Sequence, residues 1–283
     1  MKESTLPFTA QDIASNHEDA KYDGELADGL RHNKGRLIWS NGDTYIGSFQ
    51  EGLRSGYGEF HYKKNETNYI YRGYWRNSMR TGFGIETGIS TRACSKYEGK
   101  WKNDLYHGVG YLKTTMAYYA GEFMNGIKHG HGFLYFHNGE SYEGQFACGH
   151  FEGEGIYKYR NNDLYIGQFQ NGLRHGDGCH EYCNGEAYFG QFMTGKRHGS
   201  GMFFKENGEI RKGEWENGGL KKWVGPLNKF GRKDFSACED FCKKIKNFKL
   251  IEDKVELVTK IEDLKRVALH QAAFRHAKNS SVN

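Results

Sequence analysis

One recurring pattern limits what this chain can become. A tyrosine is followed at fixed steps by a glycine, an aromatic ring and three more glycines, and the block then returns. "YIGQFQNGLRHGDG" at 165–178 comes back as "YFGQFMTGKRHGSG" at 188–201. The leading tyrosines are Tyr22, Tyr45, Tyr71, Tyr97, Tyr119, Tyr142, Tyr165 and Tyr188, spaced 23, 26, 26, 22, 23, 23 and 23 residues apart. A ninth, degenerate block starts at Arg211. Self-similarity at this period marks a chain of small units, none able to bury a core alone, each completed by its neighbours.

Within one block the spacing reads as strand. Side chains alternate faces with period two, so Tyr165, Gly167 and Phe169 share a face. Gly176 and Gly178 share a face in the second half, and that face continues into apolar residues elsewhere: Leu37 and Trp39, Phe60 and Tyr62, Leu134 and Phe136, Tyr157 and Tyr159. Each block is therefore two short strands with a ringed face notched by glycine. Glycine in a strand marks close approach of another group, and the natural occupant is a ring from the adjacent strand or unit. Asn41-Gly42, Asn138-Gly139, Asn184-Gly185 and Asn207-Gly208 recur at one block position. Asn-Gly predicts a type I′ hairpin turn there, and the stretch typified by "QNGLRH" supplies the other turn. The fold class is mainly β: an elongated, twisted antiparallel meander of stacked hairpins, spanning about 80 Å at ~4.8 Å per strand.

These blocks resemble the MORN repeat (membrane occupation and recognition nexus), whose motif is Y-x-G-x-[WF]-x-x-G-x-x-x-G-x-G. Units 2 and 5 to 8 match it closely, and the resemblance covers about 22–220. Unit 1 departs with Leu26 and Asn33, unit 3 with Ser78 and unit 4 with Asp104, where a ring or glycine is usual. Units 2 and 3 are each three residues longer, through "KKNETNY" and "ISTRACSK", inserts expected to bulge from the rim.

The flanks differ. Residues 1–21 read as an extended or disordered tail, and 221–231 as a linker. From 232 to 278 the period changes: apolar residues fall at 235, 238, 242 and 245, then at 257, 261, 264 and 268. Steps of three and four predict amphipathic helix, in two pieces broken near 247–252, with Asp234 or Ser236 as a cap and 279–283 as a tail. The first piece is expected to pack over the end of the sheet, because repeat arrays need capped edges. The second leaves Leu257, Ile261, Leu264, Leu269 and Phe274 as a docking face for a partner.

Chemistry is hard to find. An active site needs an asymmetric set of groups, whereas His32, His107, His129, His175 and His198 recur at one block position and read as framework. No Walker-type loop, G-x-S-x-G or H-E-x-x-H motif is present, and the expectation is no catalytic residue, cofactor or metal. The pairs Cys179/Cys183 and Cys238/Cys242 lack the partners of a zinc site. All six cysteines read as free thiols of a cytosolic protein. No secretory signal is read at the start, and no apolar run approaches ~18 residues. A net charge of +5, from 40 basic and 35 acidic residues, is too mild for a dedicated nucleic-acid binder.

Arg31, Arg54, Arg80, Lys128, Arg174 and Arg197 also share a block position. They are expected to form a basic row at one rim. Such a row binds anionic headgroups or an acidic protein surface, or simply keeps a solvated edge from sticking to other sheets. Glu25, Glu98, Glu122, Glu143 and Glu214 offset it. The family resemblance implies a non-catalytic scaffold that docks proteins of a larger assembly, such as a ciliary or flagellar axoneme and its radial spokes, in the cytoplasm and cytoskeleton. Recruitment of a complex to anionic membrane is the alternative, and homo-oligomerisation is compatible with either.

Overall fold

The computed structural model describes residues 20–229. They fall into two compact units, 20–127 and 128–229. The first holds β1 (Lys21–Ala27), β2 (Leu30–Ile38), β3 (Thr44–Gln50), β4 (Leu53–Lys64), β5 (Thr67–Arg76), β6 (Met79–Ile89), β7 (Cys94–Lys102), β8 (Leu105–Lys113) and β9 (Ala117–Met124). The second holds β10 (Ile127–Phe136), β11 (Ser141–Ala147), β12 (His150–Lys158), β13 (Leu164–Gln170), β14 (Leu173–Glu181), β15 (Ala187–Met193), β16 (Lys196–Phe204), β17 (Glu209–Glu216) and β18 (Gly219–Lys229). Within each unit every strand pairs antiparallel with the next, an open meander as expected. The helices expected over 232–278, with the docking residues Leu257, Ile261, Leu264, Leu269 and Phe274, lie outside the described residues, as do residues 1–19 of the expected tail and Cys238 and Cys242, whereas Lys21, the last residue of that tail, already belongs to β1.

One glycine row crosses the sheet: Gly35 faces Gly47, Gly47 faces Gly58 and Gly58 faces Gly73, and in the second unit Gly155, Gly167, Gly178 and Gly190 continue the rule. The ring that fills each notch comes from the same block. Tyr165 lies over Gly167 and over Gly178 on the next strand, where an added Cβ would meet its Oη at 2.3 Å and its Cε2 at 2.6 Å. The tyrosine hydroxyl then donates to the carbonyl three residues on, Tyr45 to Ser48 at 3.0 Å, Tyr97 to Lys100 at 2.8 Å and Tyr165 to Gln168 at 2.9 Å. That carbonyl is reachable because a β-bulge breaks the register there. Gly176, on the bulged strand, adopts φ +58, and in the first block Asn33 takes the same left-handed conformation at φ 49. Asparagine tolerates that region better than most residues, which explains the departure from glycine.

The core is a ladder of rings one layer thick. Tyr45, Tyr71, Tyr97, Tyr119, Tyr142, Tyr165 and Tyr188 are almost fully buried, and each meets the fifth-position ring of its own block edge-on. Many also meet the ring of the next block, as Tyr71 does with Trp101 at 5.1 Å and Tyr165 with Phe192 at 5.0 Å. Edge-to-face geometry adds about 0.5–1.5 kcal/mol per pair beyond burial.

The turns depart from expectation. Asn41-Gly42 is not type I′: only Gly42 has positive φ (+88), Gly42 N donates to Trp39 O, and Asn41 Oδ1 accepts from Asp43 N. This is a three-residue loop, a type I turn closed by a left-handed glycine, and the other Asn-Gly loops repeat it. The type I′ turns sit at the opposite rim, where Glu51-Gly52 and Asn171-Gly172 both have two positive φ values. Nor do the inserts bulge out as loops. In unit 2 the extra residues lengthen β4 and β5, closed by a tight Asn65-Glu66 turn, and in unit 3 they lengthen β6 and β7. The stretch 221–229, read as linker, is most of β18, which completes the ninth block as a hairpin.

Candidate functional site on the tyrosine face

Each of the six basic residues is the second residue of its block's second strand, one place beyond the residue that follows the type I′ turn. Their backbone is fixed by the next block. The turn amide of Gly52 donates to Arg31 O, Ser78 to Arg54 O, Asp104 to Arg80 O and Gly195 to Arg174 O. The side chains return the bond: Arg31 donates to Gly52 O at 3.2 Å, Arg54 to Ser78 O at 2.8 Å, Arg80 to Asp104 O at 3.2 Å, Arg174 to Gly195 O at 2.6 Å and Arg197 to Gly218 O at 3.0 Å. The guanidinium planes meanwhile lie against rings, Arg54 over Trp75 at 4.2 Å and Arg80 over Trp101 at 4.3 Å.

The solvated basic row of the sequence reading is therefore folded inward. Arg54 and Arg80 are 3 % and 2 % exposed and offer nothing to a headgroup, while Arg31, Lys128, Arg174 and Arg197 are half-buried. The physical reason is the slot itself, which lies over a tyrosine and accepts any flat group. Two blocks fill it with rings instead, Tyr106 stacked on Tyr97 at 3.7 Å and Phe151 on Tyr142 at 3.8 Å. That alternation of arginine with aromatic residues was readable in the sequence, and it signals stacking rather than surface charge.

Where the turn glycine is replaced, the substitute serves the arginine. Ser78 Oγ accepts from Arg54 N, and Asp104 Oδ1 accepts from both Arg80 N and Arg80 Nε, at 2.9 and 3.0 Å. Around Arg80 a buried network closes. Arg80 pairs with Glu86, which also accepts from Tyr62 at 2.6 Å and from Tyr106 at 2.9 Å. Burial opposes the Arg80 charge, but Glu86, Tyr62 and Asp104 more than offset it and hold its pKa above the ordinary value. Arg54 lacks a bonded carboxylate, and burial pulls its pKa down to about 10.

The second unit carries a related cluster. His180 is sandwiched between Tyr159 and Tyr182. Its Nδ1 accepts from Arg174 at 2.7 Å and its Nε2–H donates to Asp163 at 3.3 Å. Burial, reinforced by Arg174, lowers its pKa to about 4, so the ring is neutral at pH 7. The histidines at the repeated block position are half-buried framework at the bulge. Among the described residues no group of three or more His, Cys, Asp or Glu converges as a metal site would require. The ladder tyrosines are held above their ordinary pKa by burial.

Parts of the chain are similar to known proteins. Alsin of rat and of human are each 36% identical over 70 residues, which is 24% of this chain and only 4% of Alsin. MORN repeat-containing protein 3 of Xenopus laevis is 35% identical over 68 residues, 23% of this chain and 29% of that protein. The chain thus spans a small part of the relatives it matches. The family model for the MORN repeat matches residues 22–44, 45–67, 71–90, 97–113, 119–141, 142–164, 165–187 and 188–210. With eight matched repeats spread over more than half its length, the chain belongs to the MORN-repeat family.

Proposed function

We propose that this protein is a non-catalytic scaffold that docks partner proteins within a larger assembly, with a ciliary or flagellar axonemal complex such as a radial spoke as the favoured setting. The observation that carries the choice of protein over lipid is the pair of rows at the type I′ rim. The arginines that would meet anionic headgroups are committed to carbonyls and rings. Beside them, the residue immediately after each turn is repeatedly apolar and solvent-facing, as in Leu30, Leu53, Ile127 and Leu173. A periodic exposed apolar row suits a protein surface, and anionic bilayers select for basic clusters instead. The axonemal setting rests on family resemblance. The amphipathic stretch 252–277, with Leu257, Ile261, Leu264, Leu269 and Phe274, is the proposed partner-binding element.

The test is a tagged chain expressed in ciliated cells, intact and with 252–283 deleted. The intact chain is expected in the detergent-resistant axonemal fraction and the deleted one in the soluble fraction, with unchanged sheet circular dichroism. Flotation of the intact chain with phosphatidylserine vesicles, and its absence from the axoneme, would establish the membrane reading instead.

A further inference from the structure

The face opposite the tyrosines differs between the two units. In the first, the row next to the glycines runs Arg36, Ile46, Glu59, Arg72, Ile85, Glu98 by register, four charges and two isoleucines, with Arg72 paired to Glu59. In the second, the same row runs through Ile166, Cys179 and Phe189, and the row beyond it through Ala187, Phe204 and Ile210. Five of these six form one hydrophobic cluster, with Met202 packed against it. Ile46 and Ile166 occupy the same block position. Ile46 is 48 % exposed and Ile166 only 3 %. Flanking strands lie beside a side chain rather than on top of it, so neighbours within a sheet cannot produce that difference. Burial of a sheet face requires a second layer. Among the described residues packing of any extent occurs only between consecutive strands, so none of them forms that layer.

We infer that the C-terminal segment, residues 235–248, lies across the face of β13–β17 formed by Ile166, Cys179, Phe189, Ala187, Phe204 and Ile210. Three observations commit the site to this occupant. The chain leaves the sheet beside it: β18 ends with Asn228 opposite Ile210 and Lys229 opposite Glu209. The connection is long enough, since residues 230–234 extend about 17 Å and three strand spacings, from β18 to β15, need about 14 Å. And the segment repeats apolar residues at helical steps, with Phe241, Ile245 and Phe248 among them, the pattern that presents one stripe to an apolar sheet. The segment thus seats on the face of the sheet, not over its last edge. It anchors residues 252–277, leaving that second amphipathic stretch for the partner proposed above. The seating itself is independent of the partner's identity.

Cys179 gives a direct readout, because it lies in the patch and is 1 % exposed, while Cys94, Cys148 and Cys183 are exposed. The full-length chain is alkylated with iodoacetamide and each thiol is followed by mass spectrometry. Cys179 is expected to react at least about tenfold more slowly than Cys94, since it must wait for local opening. In the full-length Phe241→Asp, Ile245→Asp variant its rate rises to approach that of Cys94, with the melting of the sheet unchanged. Equal Cys179 rates in the variant and the native chain would overturn the seating. Loss of protection on dilution of the native chain would also overturn it, by assigning the cover to a second copy. A benzophenone amino acid at position 241 provides a check without disruption. Cross-links within one chain to the peptides holding Phe189 or Met202 support the seating, and cross-links confined to β18 place the segment over the end and refute it.

Discussion

Replacing Gly178 by alanine isolates the device on which every block depends. The added Cβ would stand 2.3 Å from Tyr165 Oη and 2.6 Å from its Cε2 and Cζ, so the ring must retreat by about an ångström to reach ordinary contact. It has nowhere to go. Tyr165 is fully buried, meets Phe169 and Phe192 edge-on at 5.1 and 5.0 Å, and donates to Gln168 O at 2.9 Å. Overpacking costs about 1–3 kcal/mol and the strained hydroxyl bond about 1 more, for a total near 2–4 kcal/mol. For a cooperative unit of roughly 100 residues that lowers Tm by on the order of 10 °C or more. Gly185→Ala is the control, because its nearest atom is Glu206 Cγ at 3.6 Å. There the cost is only that of holding alanine at φ +86, about 1–2 kcal/mol. The decisive measurement is a double-mutant cycle in urea, followed by the fluorescence of Trp215 and Trp223. With Tyr165→Leu in place, Gly178→Ala should lose most of its cost, giving a coupling of about 1–3 kcal/mol. A coupling within about 0.5 kcal/mol of zero would show that the glycine row serves the backbone and not the ring, and the notch reasoning would fail.

Asp104→Ala removes the two Oδ1 bonds to Arg80 and leaves the buried guanidinium with Glu86 and the backbone carbonyl, so a loss of about 1.5–3 kcal/mol is expected in denaturant titration. Asp104→Gly, which restores the usual turn residue but not the carboxylate, should lose nearly as much. If it is neutral, the turn matters and the ion pair does not. His180 sets a pH dependence. Its folded pKa, about 4, lies below the ordinary 6.5, so on acidification the unfolded chain takes up a proton that the folded chain refuses. Stability should therefore fall as pH drops from about 6.5 towards 4, and His180→Gln should flatten that part of the profile.

Period and chemistry were legible to different degrees. The Tyr-x-Gly-x-ring step fixed strand, face and notch, because each depends only on alternation along one strand. Which ring enters which notch was not legible. Tyr165 fills its own block's glycine and the next strand's because a bulge turns the Gln168 carbonyl towards its hydroxyl, and a bulge is a matter of register between strands. The two turns were exchanged for a similar reason. Asn-Gly suits both a two-residue type I′ loop and a three-residue loop ending in left-handed glycine, and strand length decides between them. The arginines were read by charge, as a solvated row. Their slot is defined by a ring beneath and a carbonyl one block ahead, neither adjacent in sequence, and the clue was Tyr106 and Phe151 at the same position. The apolar opposite face of β13–β17 was written in Ile166, Cys179 and Phe189, but a single period-two strand does not show that three neighbours share the habit.

The arginine bonds give the array a direction. Each guanidinium that reaches a turn carbonyl reaches forward, Arg31 to Gly52, Arg54 to Ser78, Arg80 to Asp104, Arg174 to Gly195 and Arg197 to Gly218, and none of these bonds runs backward. A block emerging from the ribosome therefore carries an unsatisfied cation until about one further block has been synthesised, so it matures one step behind the growing end. Loss of a block is unequal at the two ends. Trimming from the N-terminal side frees a carbonyl that water can satisfy, whereas trimming from the C-terminal side strands a partly buried charge. Arrays of this kind tolerate lengthening or shortening best at their beginning, and their last block has to supply a turn for the arginine before it, as Asn217-Gly218 does for Arg197.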